Sequence, residues 1–132
     1  AIVETNRVLK KDGYICASFR ADNIQNKIND FMYEKKNKEK LFFHKMNLTK
    51  KEFTQIFIKH GFAIQKIYPV ENMPFLYKFS FFRSKKQKIF NENVARVEGY
   101  QLSILGNILQ KILITFFPNQ FCNIYVLIGK KV

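Results

Sequence analysis

The sequence has no tryptophan, two cysteines, three prolines and five glycines in 132 residues. Each scarcity excludes something. The glycines stand apart at 13, 61, 99, 106 and 129, so no G-x-G phosphate- or dinucleotide-binding turn exists anywhere in the chain. Cys16 and Cys122 belong to no CxxC pair, and His44 and His60 stand alone, so no metal-ligand spacing is present. Two thiols far apart, without a basic-then-apolar leader, predict free buried cysteines in a reducing, cytoplasmic setting. No apolar run reaches the roughly twenty residues that a bilayer span requires.

Acidic residues are scarce as well. Lys and Arg number 23 against 10 Asp and Glu, a net charge of +13. Such a balance points to nucleic acid or an anionic membrane. Only four of the cations are Arg, whereas bidentate reading of guanine or phosphate favours Arg. Lysine accompanied by Asn, Ile and Phe also fits a codon-driven composition, and both readings stay open. Apolar residues at 47% and fifteen Phe supply a core for one domain over residues 1–132.

Along the chain, residues 1–10 have helical spacing, and Asp12-Gly13 signals a turn. Tyr14 to Phe19 is a short apolar run, expected as a strand buried on both faces. Residues 20–47 are polar, with Ile24, Ile28, Phe31 and Met32 at helical intervals, and predict a solvated helix resting on the body. Thr49-Lys50-Lys51-Glu52 is a capping box with Leu48 and Phe53 at the staple positions. The helix it opens buries Phe53, Ile56 and Phe57, and ends at His60-Gly61-Phe62, with Gly61 free to take the left-handed conformation. His60 reads as a helix-end residue.

Ala63 to Tyr68 predicts a strand stopped by Pro69. Residues 70–93 interleave Phe75, Tyr77, Phe79 and Phe81 with Lys78, Arg83, Lys85, Lys86 and Lys88. The alternation suits an edge strand or hairpin, serving either as a lid over an apolar pocket or as a nucleic-acid platform. From Val97 to Phe117, Leu102, Leu105, Ile108, Leu109, Ile112, Leu113 and Phe116 repeat at 3.6 and predict one amphipathic helix. Its apolar side is expected to pack on the protein, with a membrane surface as the alternative. Gln101, Asn107, Gln110 and Lys111 take the other side. Phe121 to Ile128 is the closing strand.

Helices and strands in this alternation predict a layered α/β sheet with too few strands of its own. Glu4-x-x-Arg7-Val8-Leu9-Lys10-x-x-Gly13 before an apolar strand resembles a late signature of class I S-adenosylmethionine-dependent methyltransferases. That signature is an acidic residue followed by R-V-L-K-P-G-G and the fifth strand. Here Lys11 stands in place of the Pro and Asp12 in place of the first Gly. His60-Gly61-Phe62 is similar to the Gly-Phe end of the helix before the sixth strand. Tyr125-Val126-Leu127-Ile128-Gly129-Lys130-Lys131 is similar to the seventh strand.

The resemblance implies the carboxyl-terminal part of a Rossmann-like seven-stranded sheet, holding strands five to seven, the seventh antiparallel between the other two. Residues 20–47 and 70–93 would be cover segments. The chain would contribute the substrate side and sheet edge for methyl transfer to a small-molecule acceptor. S-adenosylmethionine would be bound mainly by residues upstream of Ala1, so the fragment alone would be inactive. Ser18, Phe19 and Arg20, at the end of the implied fifth strand, become substrate-binding candidates, with Arg20 suited to a carboxylate or phosphate. His44 is the candidate general base near the cover. The rival without catalysis is a basic, aromatic RNA- or anionic-membrane-binding module.

Overall fold

The computed structural model describes residues 1–36 and 47–132. His44 and the Leu41-Phe42-Phe43 return lie outside the described residues. Three strands form one sheet: β1 (Tyr14–Arg20), β2 (Phe62–Val70) and β3 (Ile124–Lys131). Their order is β1-β3-β2, and β3 runs antiparallel to both neighbours, so β1 and β2 are parallel to each other. Parallel strands need a crossover, and residues 21–61 supply it between β1 and β2, whereas residues 71–123 join β2 to its antiparallel neighbour β3.

On one face of the sheet lie α1 (Ile2–Val8) and α3 (Lys50–Lys59). Phe53 and Phe57 of α3 join Phe62 and the fully buried Leu127, with Ile2, Leu9, Ile15, Ala17 and Phe19 packed around them. The sequence forms α3 as its cap predicts. The Thr49 hydroxyl accepts from the Glu52 amide at 3.2 Å, and Glu52 accepts from the Thr49 amide at 2.8 Å. Gly61 takes φ +83, and the rings of Phe57 and Phe62 meet with centroids 5.6 Å apart.

The opposite face is open, which corrects the expectation that β1 is buried on both sides. Tyr14, Cys16 and Ser18 are exposed, while Ile15, Ala17 and Phe19 turn toward the helices with the two-residue alternation of a strand. Of the two free thiols, Cys122 is buried and Cys16 is not. Strand β2 continues past Pro69, which pairs opposite Tyr125. A proline fits there because β2 is an edge strand, where its missing N–H can face away from the ladder.

Residues 71–123 build a second core instead of an edge strand. Short 3₁₀ turns at Phe75–Lys78, Ser80–Phe82 and Lys85–Gln87 lead into α4 (Glu92–Glu98) and α5 (Ile104–Phe116). The single helix expected over 97–117 is therefore two helices. Gly99 at φ +80 ends α4, and Ser103 starts α5 by accepting the Gly106 amide at 3.1 Å.

Phe75, Leu76, Tyr77 and Leu102 are buried together here. Gln87 lies among them, accepting from the Tyr77 hydroxyl at 2.9 Å and the Gln101 amide at 3.0 Å. Arg83 closes the group. It donates to the Tyr77 and Lys78 carbonyls and lies over the Tyr77 and Phe90 rings. Buried rings such as Phe75 and Tyr77 cannot serve as a stacking platform for bases.

The polar helix expected within 20–47 is α2 (Ile24–Lys36), but its buried side is the amide side. Gln25, Asn26 and Asn29 are buried, whereas Ile24 and Phe31 are exposed. On α5 the buried side is rotated rather than reversed, since Leu109 and Leu113 still pack on the second core. There Gln110 and Gly106 are buried, and Ile104, Leu105, Ile108, Ile112 and Phe116 face outward.

Candidate functional site

Open α/β sheets bind ligands beyond the carboxyl ends of their parallel strands. In this chain that position is occupied by a cleft of about 340 Å³ at the ends of β1 and β2 and the start of β3. Its walls are Arg20 from β1, Asn26, Asn29 and Asp30 from α2, Asn72 and Met73 after β2, and Asn123 before β3, with Tyr33, Lys78 and Ile124 at the margin.

Asparagine side chains build the floor. Asn23, just before α2, accepts the Asn26 amide at 3.0 Å and donates to the Asn119 and Cys122 carbonyls at 3.1 and 2.9 Å. Asn26 donates to the carbonyls of Ala21 and Asn123 at 2.6 and 3.0 Å. The Asn123 amide oxygen accepts from the backbone of Asn72 and Met73 at 2.8 and 3.2 Å. A short amide that both donates and accepts can join three chain segments without leaving a buried donor unmet. The ends of β1, β2 and β3 are thereby held in one frame.

Asn29 differs. It is buried against the cleft, and its side-chain oxygen has no hydrogen-bond partner. Leaving a buried acceptor unmatched costs on the order of 1–3 kcal/mol, which a ligand donor would recover.

The three strand-end candidates do not converge. Ser18 is exposed on the open face of the sheet, opposite Val126 in register. Phe19 turns the other way, with its ring stacked on Phe53 at 3.6 Å and tilted against Tyr125 at 5.3 Å. That places it in the core rather than in the cleft. Alternation along a strand separates such neighbours.

Arg20 does line the cleft, but its guanidinium is occupied. It forms a two-point pair with Asp30, at 2.8 and 2.7 Å, and a third bond to Asn47 at 2.9 Å. A fork already filled by a carboxylate is not free for an anionic ligand. His44 lies outside the described residues. His60 ends α3 with Nδ1 2.7 Å from the Ile56 carbonyl, and its own carbonyl accepts from Asn6 at 2.7 Å.

Residues that pattern-reading passed over make up most of the site: Asn23, Asn26, Asn29, Asp30, Asn72 and Asn123. The one local signal was Asn23, a capping residue just ahead of the first apolar position of α2.

Nearby, Glu71 follows β2 and accepts from Gln110 Nε2 at 3.3 Å. Burial pushes its carboxyl above the ordinary range, and the Gln110 bond only partly offsets this. Burial likewise raises the Cys122 thiol, and it pushes the Tyr125 hydroxyl up to about 12. Among the described residues no group of His, Cys, Asp and Glu is placed to hold a metal ion, and no helix is long and apolar enough to cross a membrane.

No known protein family matches the chain by its sequence pattern, and no characterised protein matches it in sequence.

Proposed function

We propose that this chain is the substrate side of a class I S-adenosylmethionine-dependent methyltransferase, the carboxyl-terminal part of a seven-stranded sheet. The observation that carries the reading is the strand order β1-β3-β2, with the last strand reversed between two parallel ones. The resemblance implies that order for strands five, seven and six. Few α/β sheets insert their final strand backwards into a gap, so the topology is more specific than the count of strands.

The turn between α1 and β1 supports the same reading residue by residue. Asp12 has φ 63, a backbone state that Gly enters freely and Asp tolerates. The family's wording has its first Gly at this position. A Cβ on Gly13 would sit 2.8 Å from both Leu9 Cγ and the Lys10 carbonyl, so the second Gly has a steric reason. The open face of the sheet, and the edge of β1 that among the described residues meets only Leu48 at its end, leave room for further strands and helices.

S-adenosylmethionine supplies an activated methyl group, displaced in line by the acceptor. No glycine-rich turn of this chain fits the cofactor, so its binding falls to other residues of the sheet. The residues present would position the acceptor and exclude water, which is most of what an in-line transfer requires. With Arg20 matched by Asp30, the cleft favours a polar, uncharged small molecule that donates a hydrogen bond to Asn29.

Calorimetry tests this. The 132-residue chain is expected to show no binding of S-adenosylmethionine, whereas a polypeptide extended through the upstream reading frame binds it. Tight binding by the short chain, or none by the extended one, overturns the reading.

A further inference from the structure

We propose that the outward face of α5 docks on an anionic lipid surface. This inference stands apart from the methyltransferase reading and does not depend on it. Ile104, Ile108, Ile112, Leu105 and Phe116 lie within one side of the helix at 100° per residue, and all are exposed, Ile104 by 83% and Phe116 by 71%. Lys111, at the margin of that stripe, is its only charge. Among the described residues the fold does not use the stripe. Gln110, Gly106, Leu109 and Leu113 hold α5 to the second core from the other side. A helix apolar on the face it presents to water needs a cover.

The charge around it says what kind. Between residues 78 and 117 there are seven Lys and Arg and two acidic residues, both on α4, where Glu92 is paired to Arg96 at 2.7 Å. Exposed Lys85, Lys86 and Lys88 belong to the segment tied to the amino end of α5, through Ser103 N to the Phe82 carbonyl at 2.8 Å and Ser84 N to the Gln101 carbonyl at 3.0 Å. An apolar helix face with clustered lysines on the segment bound to its amino end suits a bilayer interface, the apolar side chains in the acyl boundary and the cations among anionic headgroups. At 13 residues α5 is about 20 Å long, enough to lie on a bilayer but not to span it. A second copy is the poorer occupant, because each carries +13 and would bring its lysines against the other's.

Vesicle sedimentation at physiological salt decides the matter. The chain is expected to pellet with phosphatidylcholine–phosphatidylglycerol vesicles and at least about tenfold more weakly with phosphatidylcholine alone. Replacing Ile104, Ile108, Ile112 and Phe116 by Gln should lower binding by at least about tenfold with an unchanged circular dichroism spectrum, since Gln keeps the helix. Replacing Lys85, Lys86 and Lys88 by Gln should remove most of the preference for the anionic lipid. If the fourfold variant fails to fold, Ile108→Trp reports directly: the chain has no other Trp, and its emission should shift blue with anionic vesicles. No pelleting, no blue shift, or a dimer in sedimentation velocity that the Gln changes dissolve would overturn the proposal.

Discussion

Arg20, the last residue of β1, grips Asp30 of α2 through two hydrogen bonds of 2.8 and 2.7 Å, with about a quarter of each side chain exposed. A strand end and a helix are thereby pinned across the mouth of the cleft. The pair closes an electrostatic account within the protein and leaves the cleft to its amides.

Arg20→Met is expected to cost roughly 1.5–3 kcal/mol, in line with hydrogen bonds to charged groups, because the Asp30 carboxylate stays half-buried without its fork. Arg20→Lys should recover little of this, since an ammonium cannot meet both carboxylate oxygens in that geometry. Urea unfolding of the single and double variants measures it. Independent, additive effects would show that the two residues do not act together.

Gln110 makes a sharper case, because the helical pattern sets it on the polar side and the fold buries it. Its side-chain oxygen accepts the Leu76 amide at 3.1 Å, and its nitrogen donates to Glu71. Gln110→Leu should therefore destabilise, by about 1–3 kcal/mol, by orphaning a buried amide and removing the Glu71 partner. Ile108→Gln, on the exposed face, should change stability by less than about 0.5 kcal/mol. Thermal melts of the two variants, in opposite order to their hydropathy, check both.

Tyr125 provides a pH signature. Its hydroxyl donates to the Asn119 carbonyl at 3.1 Å, and burial, with smaller contributions from Cys122, holds its pKa at about 12 against 10.0 for a free phenol. The folded state thus keeps the proton more tightly than the unfolded one. The stability this contributes is complete below pH 10 and is lost as pH rises from 10 toward about 12. Absorbance titration at alkaline pH should show one phenol ionising last, and Tyr125→Phe should abolish that step. An unchanged titration curve would place the late phenol elsewhere.

Elements with their own chemistry were legible in the sequence. The Thr49 to Glu52 cap and the left-handed Gly61 each depend on contacts a few residues apart, and each stands where local spacing puts it. Boundaries shifted where a distant partner intervened. Strand β3 starts at Ile124 rather than Phe121, because Cys122 and Asn123 are engaged by Asn23 and Asn26. It runs on through Lys130 and Lys131, which pair with β1 and β2. The cleft was hidden for a related reason. Asparagine is common in this chain, and nothing local separates one that joins three segments from one facing water.

By itself the sequence determined the alternation of helices and strands, the caps that delimit them, the lack of a glycine-rich turn, and a basic chain. All of these follow from residue type and near-neighbour spacing. Tertiary structure decided which face of each helix is inside. On α2 and α5 the period of 3.6 was right but the buried face is turned toward the amides, with Ile28, Leu109 and Leu113 still packed on the second core. Asn26 and Gln110 are buried with backbone partners, while Gln25 and the Asn29 oxygen are buried without partners among the described residues, and the displaced apolar side chains face outward. It also decided that β3 enters the sheet reversed, between β1 and β2. Strand order depends on where a long connection returns, and no single stretch of sequence carries that information.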